Sequence, residues 1–276
     1  MRRAAAVFMM LMIAVLMQGC IRVSTTVSVN SDGSGTVTER VLMNLSYFRT
    51  MLGPEKGEKQ TGATGIPSRK SLEKNAAAMG EGVRFRNVRK CSEGPFEGYQ
   101  AVYAFMDVSR LTISGRPDER KESDSLQTAS VGDGGRNGRV GFRFSRDSLA
   151  TLVIVMPESR SLLEPEKNAA HPSAPPAPDQ QKLALAIMRE AFKGTRMRLV
   201  VTVRGEIVSS DADCMDGAEA VLADIDFDRL LSEKSHEEAL LNLTGYGSAS
   251  SSPGEFLNRV PGVRGETKQM VAIVFR

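Results

Sequence analysis

Residues of one polarity recur at every second position along much of this chain. Val23, Thr25, Val27 and Val29 occupy one phase and Ser24, Thr26 and Ser28 the other, the period of a strand buried on one face. Asp32-Gly33, with Gly35 close behind, supplies the positive-φ positions of a tight turn, and Val37, Glu39 and Val41 resume the alternation on a return strand. Asn44 then caps a short helix whose Leu45, Phe48 and Leu52 share a face and which Gly53-Pro54 stops. Residues 55–67 read as a mobile connection. An Ala-rich helix over 71–79 ends at Gly80 and leads into a strand carrying Val83, Phe85 and Val88.

Gly94-Pro95 breaks the chain, and Tyr99, Ala101, Tyr103 and Phe105 form the next alternating strand, expected to be central. Residues 114–138 are polar, charged and Gly-rich with one Leu and one Val, too little apolar surface to pack, and are expected to form a disordered loop inside a sheet. Val140, Phe142 and Phe144 restart the two-residue period. The apolar run 152–156 suits a strand covered on both faces, and Pro157 ends it.

Pro165, Pro172, Pro175, Pro176 and Pro178 mark 157–180 as an extended linker. After it, 181–193 makes an amphipathic helix through Leu183, Ile187, Met188 and Ala191, closed by Gly194. Met197, Leu199, Val201 and Val203 alternate as a strand. Turns at Arg204-Gly205 and Asp216-Gly217 separate it from a strand containing Ile207 and from another with Val221, Ala223, Ile225 and Phe227, which reads as a three-stranded meander. Asp226 or Asp228 starts a helix before Leu230-Leu231, and Ser235 with Glu238 forms a capping box. Residues 245–254 are a Gly/Ser loop before the last strand at 270–275.

These elements predict an α+β fold of antiparallel β-meanders and hairpins with a few short helices packed on one face. An N-terminal α+β lobe spans 20–156 and a C-terminal α+β lobe spans 181–276, either standing apart or sharing one sheet. A hairpin followed by an Asn- or Asp-led helix recurs at 23–52 and 197–231, through duplication or independent recurrence.

The segment before the first strand carries different information. Arg2 and Arg3 form a charged start, residues 4–17 an apolar stretch, and Gln18-Gly19 places a small residue before Cys20, the layout of a secretory signal over 1–19. Met17-Gln18-Gly19-Cys20 resembles the lipobox of bacterial lipoproteins, which implies a thioether-linked diacylglycerol on Cys20 as the mature N-terminus. The alternative is an uncleaved anchor helix, since about 18 apolar residues just span a bilayer. Two or three acyl chains hold a protein stably, because each buried CH₂ contributes about 0.8 kcal/mol. Ile21 is not the Asp that, in Gram-negative lipoproteins resembling this one, retains them at the inner membrane, so an outer-membrane location in the cell envelope is expected.

Losing Arg2 and Arg3 lowers the formal charge from +3 to +1, with 34 basic side chains left against 33 acidic. A nearly neutral body indicates neither a nucleic-acid partner nor a polybasic membrane reader. Hydrophobic residues make up 41% of the chain, enough for a sizeable core in one large or two small domains. No later apolar run is long enough to cross a bilayer as a helix. With Cys20 acylated, Cys91 and Cys214 are left, and an oxidising exterior allows either a disulfide between them or two separately buried thiols.

The runs Phe192-Lys193-Gly194-Thr195-Arg196-Met197-Arg198-Leu199, Gly205-Glu206-Ile207-Val208-Ser209-Ser210-Asp211-Ala212 and Asp224-Ile225-Asp226-Phe227 resemble bacterial lipoproteins of the LppM-like domain family. Asp32-Gly33-Ser34-Gly35 in the first hairpin is similar to the opening of that family. The resemblance touches about half of the mature chain. It implies an envelope lipoprotein with an α/β sheet domain and no established enzymatic activity. Some members carry a C-terminal membrane helix, and none is expected here.

Catalytic signatures are few. His171 sits among prolines and alanines and His236 at a helix start, neither with metal-ligand spacing around it, so no metal or cofactor is expected. No Gly-x-Ser-x-Gly elbow, P-loop or dinucleotide fingerprint is present. Asp211, Asp213, Asp216 and Glu219 lack calcium-loop spacing and read as a solvated turn. Asp224, Asp226 and Asp228 alternate with Ile225 and Phe227, which points them away from the core and suits helix capping better than acid/base chemistry.

Arginines offer a sharper pattern. Arg84 and Arg86, Arg139 and Arg143, and Arg196 and Arg198 each take the polar phase of a strand. If those strands adjoin, six guanidiniums share a face able to bind anionic lipid headgroups or acidic envelope glycans through bidentate contacts. If they do not, arginine solubilises the sheet and blunts its edges. The leading expectation is therefore a lipid-anchored envelope protein of structural or interaction type, not an enzyme, with an envelope protein partner and the membrane as its contacts. An anion-binding module stands second.

Overall fold

The computed structural model describes residues 21–44, 66–114, 139–157, 189, 192–232 and 261–276. Strands dominate them. In chain order these are β1 (Ile21–Asn30), β2 (Gly35–Asn44), β3 (Arg84–Glu93), β4 (Phe96–Phe105), β5 (Thr112–Ser114), β6 (Arg139–Arg146), β7 (Ala150–Val155), β8 (Arg196–Arg204), β9 (Ile207–Ser210), β10 (Met215–Asp216), β11 (Glu219–Asp226), β12 (Val263–Gly265) and β13 (Met270–Phe275). Helix α1 is Arg69–Met79, α2 is the single turn Phe227–Leu230, and a 3-10 turn covers Val108–Arg110.

The strands form two sheets. In the first the order is β10-β11-β8-β1-β2-β4-β3, with β12 also pairing with β11; in the second it is β5-β6-β7-β13-β9. All pairings are antiparallel except β1 with β8, which run parallel from Arg22↔Arg196 to Asn30↔Arg204. A parallel pair needs a crossover connection, and here the two strands come from opposite sides of the proline-rich stretch. Both sheets mix strands from before and after that stretch.

Side chains of the inner phases meet in one core. Val27, Val37, Tyr103 and Val201 of the first sheet join Phe142, Leu152, Ile154, Ile273 and Phe275 of the second, together with Leu72, Ala76 and Met79 of α1. Full burial of a Leu such as Leu72 or Leu152 contributes about 1.5–3 kcal/mol. Helix α1 starts where the Ser68 hydroxyl accepts from Ser71 N–H and stops at Gly80, whose φ of 142° few other residues adopt. It packs against β3 and β5, edge strands of the two sheets, and so closes one side of the sandwich instead of covering a sheet face.

Several expectations change. The three-stranded meander over 196–227 does not form: at Gly205 the chain leaves the first sheet, and β9 pairs with β13 in the second while β8 pairs with β11. Gly205 is required there by close approach, since a Cβ would lie 2.1 Å from the Arg276 carbonyl oxygen. The hairpin expected in the second copy of the internal similarity is therefore not one. Strand β4 is second from the edge, not central. In β7, Leu152 and Ile154 are buried while Thr151, Val153 and Val155 are only partly covered, so one face is open.

In the first hairpin only Gly33 has positive φ, at 81°. Gly35 is needed for a different reason: a Cβ there would meet the Ser28 carbonyl oxygen at 2.0 Å. Asn44 is the last residue of β2, paired with Phe96. Ser114 does not belong to the loop expected over 114–138, because it ends β5, paired with Arg139. The rest of that loop, the helix expected after Asn44, the Pro-rich stretch and most of the helix over 181–193 lie outside the described residues.

Candidate functional site

The outer face of the first sheet is set by the same alternation that builds the core. Thr25, Val27 and Val29 point inward from β1, which turns Arg22 and Ser24 outward. Register then decides which residues join them. Ser24 pairs with Arg40 of β2 on one side and with Arg198 of β8 on the other, while Arg22 lies between Leu42 and Arg196. Paired residues share a face, so Arg22, Arg40, Arg196 and Arg198 gather on three adjacent strands. They line a cleft of about 260 Å³ with Ser24 and Glu93.

Each guanidinium is held differently. Arg22 Nη1 donates to Glu93 Oε1 at 2.9 Å, its Nε donates to the Gly194 carbonyl at 3.3 Å, and the group lies 4.0 Å above the Phe96 ring. Arg40 Nη1 meets the second Glu93 oxygen at 3.0 Å. Arg196 makes a bidentate pair with Asp224, 3.0 Å to Oδ1 and 2.9 Å to Oδ2. These hydrogen bonds to Asp224 raise the Arg196 pKa further above its already high value. Arg198 Nη2 donates to Glu219 at 2.9 Å, and its buried Nε lies 3.8 Å from Asp224, beyond hydrogen-bond range.

The acidic residues around the cleft are mostly committed to their own donors. Asp228 Oδ1 accepts the Gly194 N–H at 2.7 Å, and Asp226 Oδ1 accepts Arg229 N–H at 3.2 Å as the cap of α2. Thus Asp224, Asp226 and Asp228 act as an ion-pair partner, a helix cap and a backbone clasp. Glu93 differs: among the described residues its carboxylate is shared between the two arginines.

The six arginines singled out by sequence do not assemble. Arg84 and Arg86 lie on β3, four strand spacings or roughly 19 Å from β8 with Arg196 and Arg198. Arg139 and Arg143 belong to β6 in the other sheet, where Arg139 reaches the Ala78 carbonyl at 3.5 Å and Arg143 is exposed. Only Arg196 and Arg198 come together. Arg22, Arg40 and Glu93 were missed, although the hairpin turn places Arg40 directly across from Ser24.

Cys91 and Cys214 are both free thiols. Cys91 packs with Leu42 and Phe96 on edge strand β3, and Cys214 lies beside β10 at the opposite edge, its Sγ donating to the Gly265 carbonyl at 3.3 Å. Six strand spacings, about 29 Å, separate those edges, whereas a disulfide needs Cα atoms within about 7 Å. The bridge allowed by sequence is ruled out by this topology.

The acidic turn is a clasp between the sheets. Asp211 Oδ1 accepts Ala272 N–H at 2.7 Å and its carbonyl accepts Lys268 Nζ; Asp213 binds Thr267 Oγ1 at 2.6 Å and Lys268 Nζ at 2.9 Å. Those hydrogen bonds, led by Thr267, pull the Asp213 pKa down to about 2. Among the described residues no group of three or more His, Cys, Asp and Glu is placed to hold a metal, and no helix is long and apolar enough to cross a membrane. Cys20, His171 and His236 lie outside the described residues.

No protein-family model matches the chain, and no curated protein matches it. Among solved structures, the NMR structure of the folded domain of Mycobacterium tuberculosis LppM is similar over 94% of this chain and 91% of that one, at 12% identity and a TM-score of 0.35. A likeness of that size leaves both fold and function to be argued from the residues.

Proposed function

We propose that this chain is an envelope lipoprotein of structural or interaction type, held by acyl chains on Cys20 and working by contact, not by catalysis. The observation that carries the reading is the junction at Cys20. Strand β1 begins at Ile21, so the proposed lipid-bearing residue adjoins a rigid ten-residue strand in the interior of the larger sheet. An anchor placed there holds the whole sandwich close to the bilayer, with no linker to let it roam.

The acidic groups support a non-enzymatic role. Asp224, Asp226 and Asp228 each serve a structural partner, as an ion pair, a cap or a backbone clasp. In this reading the partner is another envelope protein, the location is the outer membrane if the envelope has two, and nucleic acid is no ligand.

Radiolabelled palmitate fed to a lipoprotein-processing host tests the anchor. The wild type takes up label and Cys20→Ser does not; an unlabelled wild type refutes the reading. Crosslinking in intact envelopes then identifies the neighbour.

A further inference from the structure

Glu93 marks the place where an oxyanion is held. Its two oxygens are shared between Arg22 and Arg40, at 2.9 and 3.0 Å, so two guanidiniums converge on one carboxylate at the mouth of the cleft. The carboxylate comes from the tip of the β3–β4 hairpin, next to Gly94 at φ 58°, and its side chain is 49% exposed. We infer that Glu93 is an internal stand-in, and that the Arg22–Arg40 pair receives a phosphate group that displaces it.

Three features favour phosphate over the resident carboxylate. Both ion pairs of Glu93 are partly exposed, and such pairs hold weakly, so displacement is cheap. A phosphate brings up to two charges and three acceptor oxygens to guanidiniums that bind it bidentately. Arg22 is also fixed in advance by the Phe96 ring and the Gly194 carbonyl, which reduces the ordering lost on binding.

The cleft becomes more positive when Glu93 leaves it. Four arginines and three acidic residues line the cleft, and turning Glu93 outward leaves two acids, both committed to backbone N–H groups. Arg198 adds a third guanidinium beside Ser24, with a buried Nε that makes no hydrogen bond. Leu42, buried beside Arg22, gives the floor an apolar element.

The phosphate has two sources. Arg22 lies two residues after Cys20, which puts the cleft beside the membrane surface if Cys20 is acylated, within reach of a phosphomonoester headgroup; a soluble phosphate offers the same chemistry. The lipid source rests on the anchoring proposed above, whereas capture of the phosphate group does not.

Isothermal titration of the purified full-length protein in maltoside micelles, which contain no phosphate, separates these cases. The probes are inorganic phosphate, dihexanoyl phosphatidate and, as a zwitterionic control, dihexanoyl phosphatidylcholine. Phosphatidate is expected to bind, phosphatidylcholine is not, and Glu93→Gln tightens binding about three- to tenfold by removing the competing carboxylate. Arg40→Gln, with Arg22→Gln as a second variant, weakens it at least about tenfold. Equal affinity for inorganic phosphate assigns a soluble source, and clearly tighter phosphatidate assigns the headgroup. Binding of neither phosphate probe by protein folded by circular dichroism overturns the inference, as do equal binding of phosphatidylcholine and an affinity unmoved by Glu93→Gln or Arg40→Gln.

Discussion

Arg22 and Glu93, 71 residues apart in sequence, meet at 2.9 Å across the outer face of the larger sheet. The contact ties the first strand after Cys20 to the β3–β4 hairpin, and it exists because β1, β2 and β4 pair in the register that lays Leu42 and Phe96 beneath the Arg22 guanidinium. Arg22 is one-third exposed, so its worth lies in packing on Phe96 as much as in charge. Arg22→Ala should cost about 1–2 kcal/mol, the sum of a partly exposed cation–π contact and a surface ion pair. Urea unfolding checks this: Glu93→Gln, which removes the ion pairs to both Arg22 and Arg40 but leaves Arg22 on the Phe96 ring, should cost less than Arg22→Ala, and an equal or larger loss would put the weight on charge and not on packing.

Gly33 at the first hairpin tip has φ 81°, and a Cβ there would come within 2.7 Å of the Phe144 ring of the other sheet. Gly217, at φ 60°, faces open space. Gly33→Ala should therefore destabilise more than Gly217→Ala, whose cost is the left-handed backbone alone, roughly 1 kcal/mol. The excess, read from urea midpoints, measures the contact between hairpin and sheet. Equal costs would show that Phe144 yields freely.

The two thiols stay apart. Alkylation of the denatured, unreduced protein should modify both Cys91 and Cys214, and reduction beforehand should add no further label on either. A peptide pair joined through these residues would contradict the strand order.

Acid should loosen the clasp at Asp213. Its folded-state pKa of about 2 lies below the ordinary 3.8, so the unfolded chain takes up the proton first as pH falls. The stabilisation is fully present above about pH 3.8 and is lost as pH drops through 2. Asp213→Asn is expected to lower the urea midpoint at neutral pH and to flatten its decline between those values. An unchanged midpoint and slope would show that the side chain contributes nothing, as strong solvent screening of this one-third exposed group would produce.

Local period was the legible part of this chain. The hairpin around Gly33, the helix ended by Gly80 and the strands carrying Tyr103, Phe142 and Val201 all follow from spacing of apolar residues and turn chemistry within a few positions. Pairing between distant segments was not legible. Nothing near Arg204-Gly205 says that β9 joins β13 while β8 lies parallel to β1, because both choices satisfy the same alternation.

Of the two arginine readings, the shared six-arginine face does not form, for that reason. Polar phase told correctly that Arg84 and Arg196 leave the core, but strand order puts four spacings between them. The cluster that does form depends on Arg40, which sits between Glu39 and Val41 in a strand read only for its apolar phase. Projecting the hairpin register outward from Asp32-Gly33 would have set Arg40 opposite Ser24.

Mass spectrometry of the N-terminal peptide from membranes of a lipoprotein-processing host tests the account most directly. It predicts a chain that begins at Cys20 with a diacylglyceryl thioether on Sγ, cleaved after Gly19. A peptide running intact through Gln18, Gly19 and Cys20 with an unmodified thiol would contradict it.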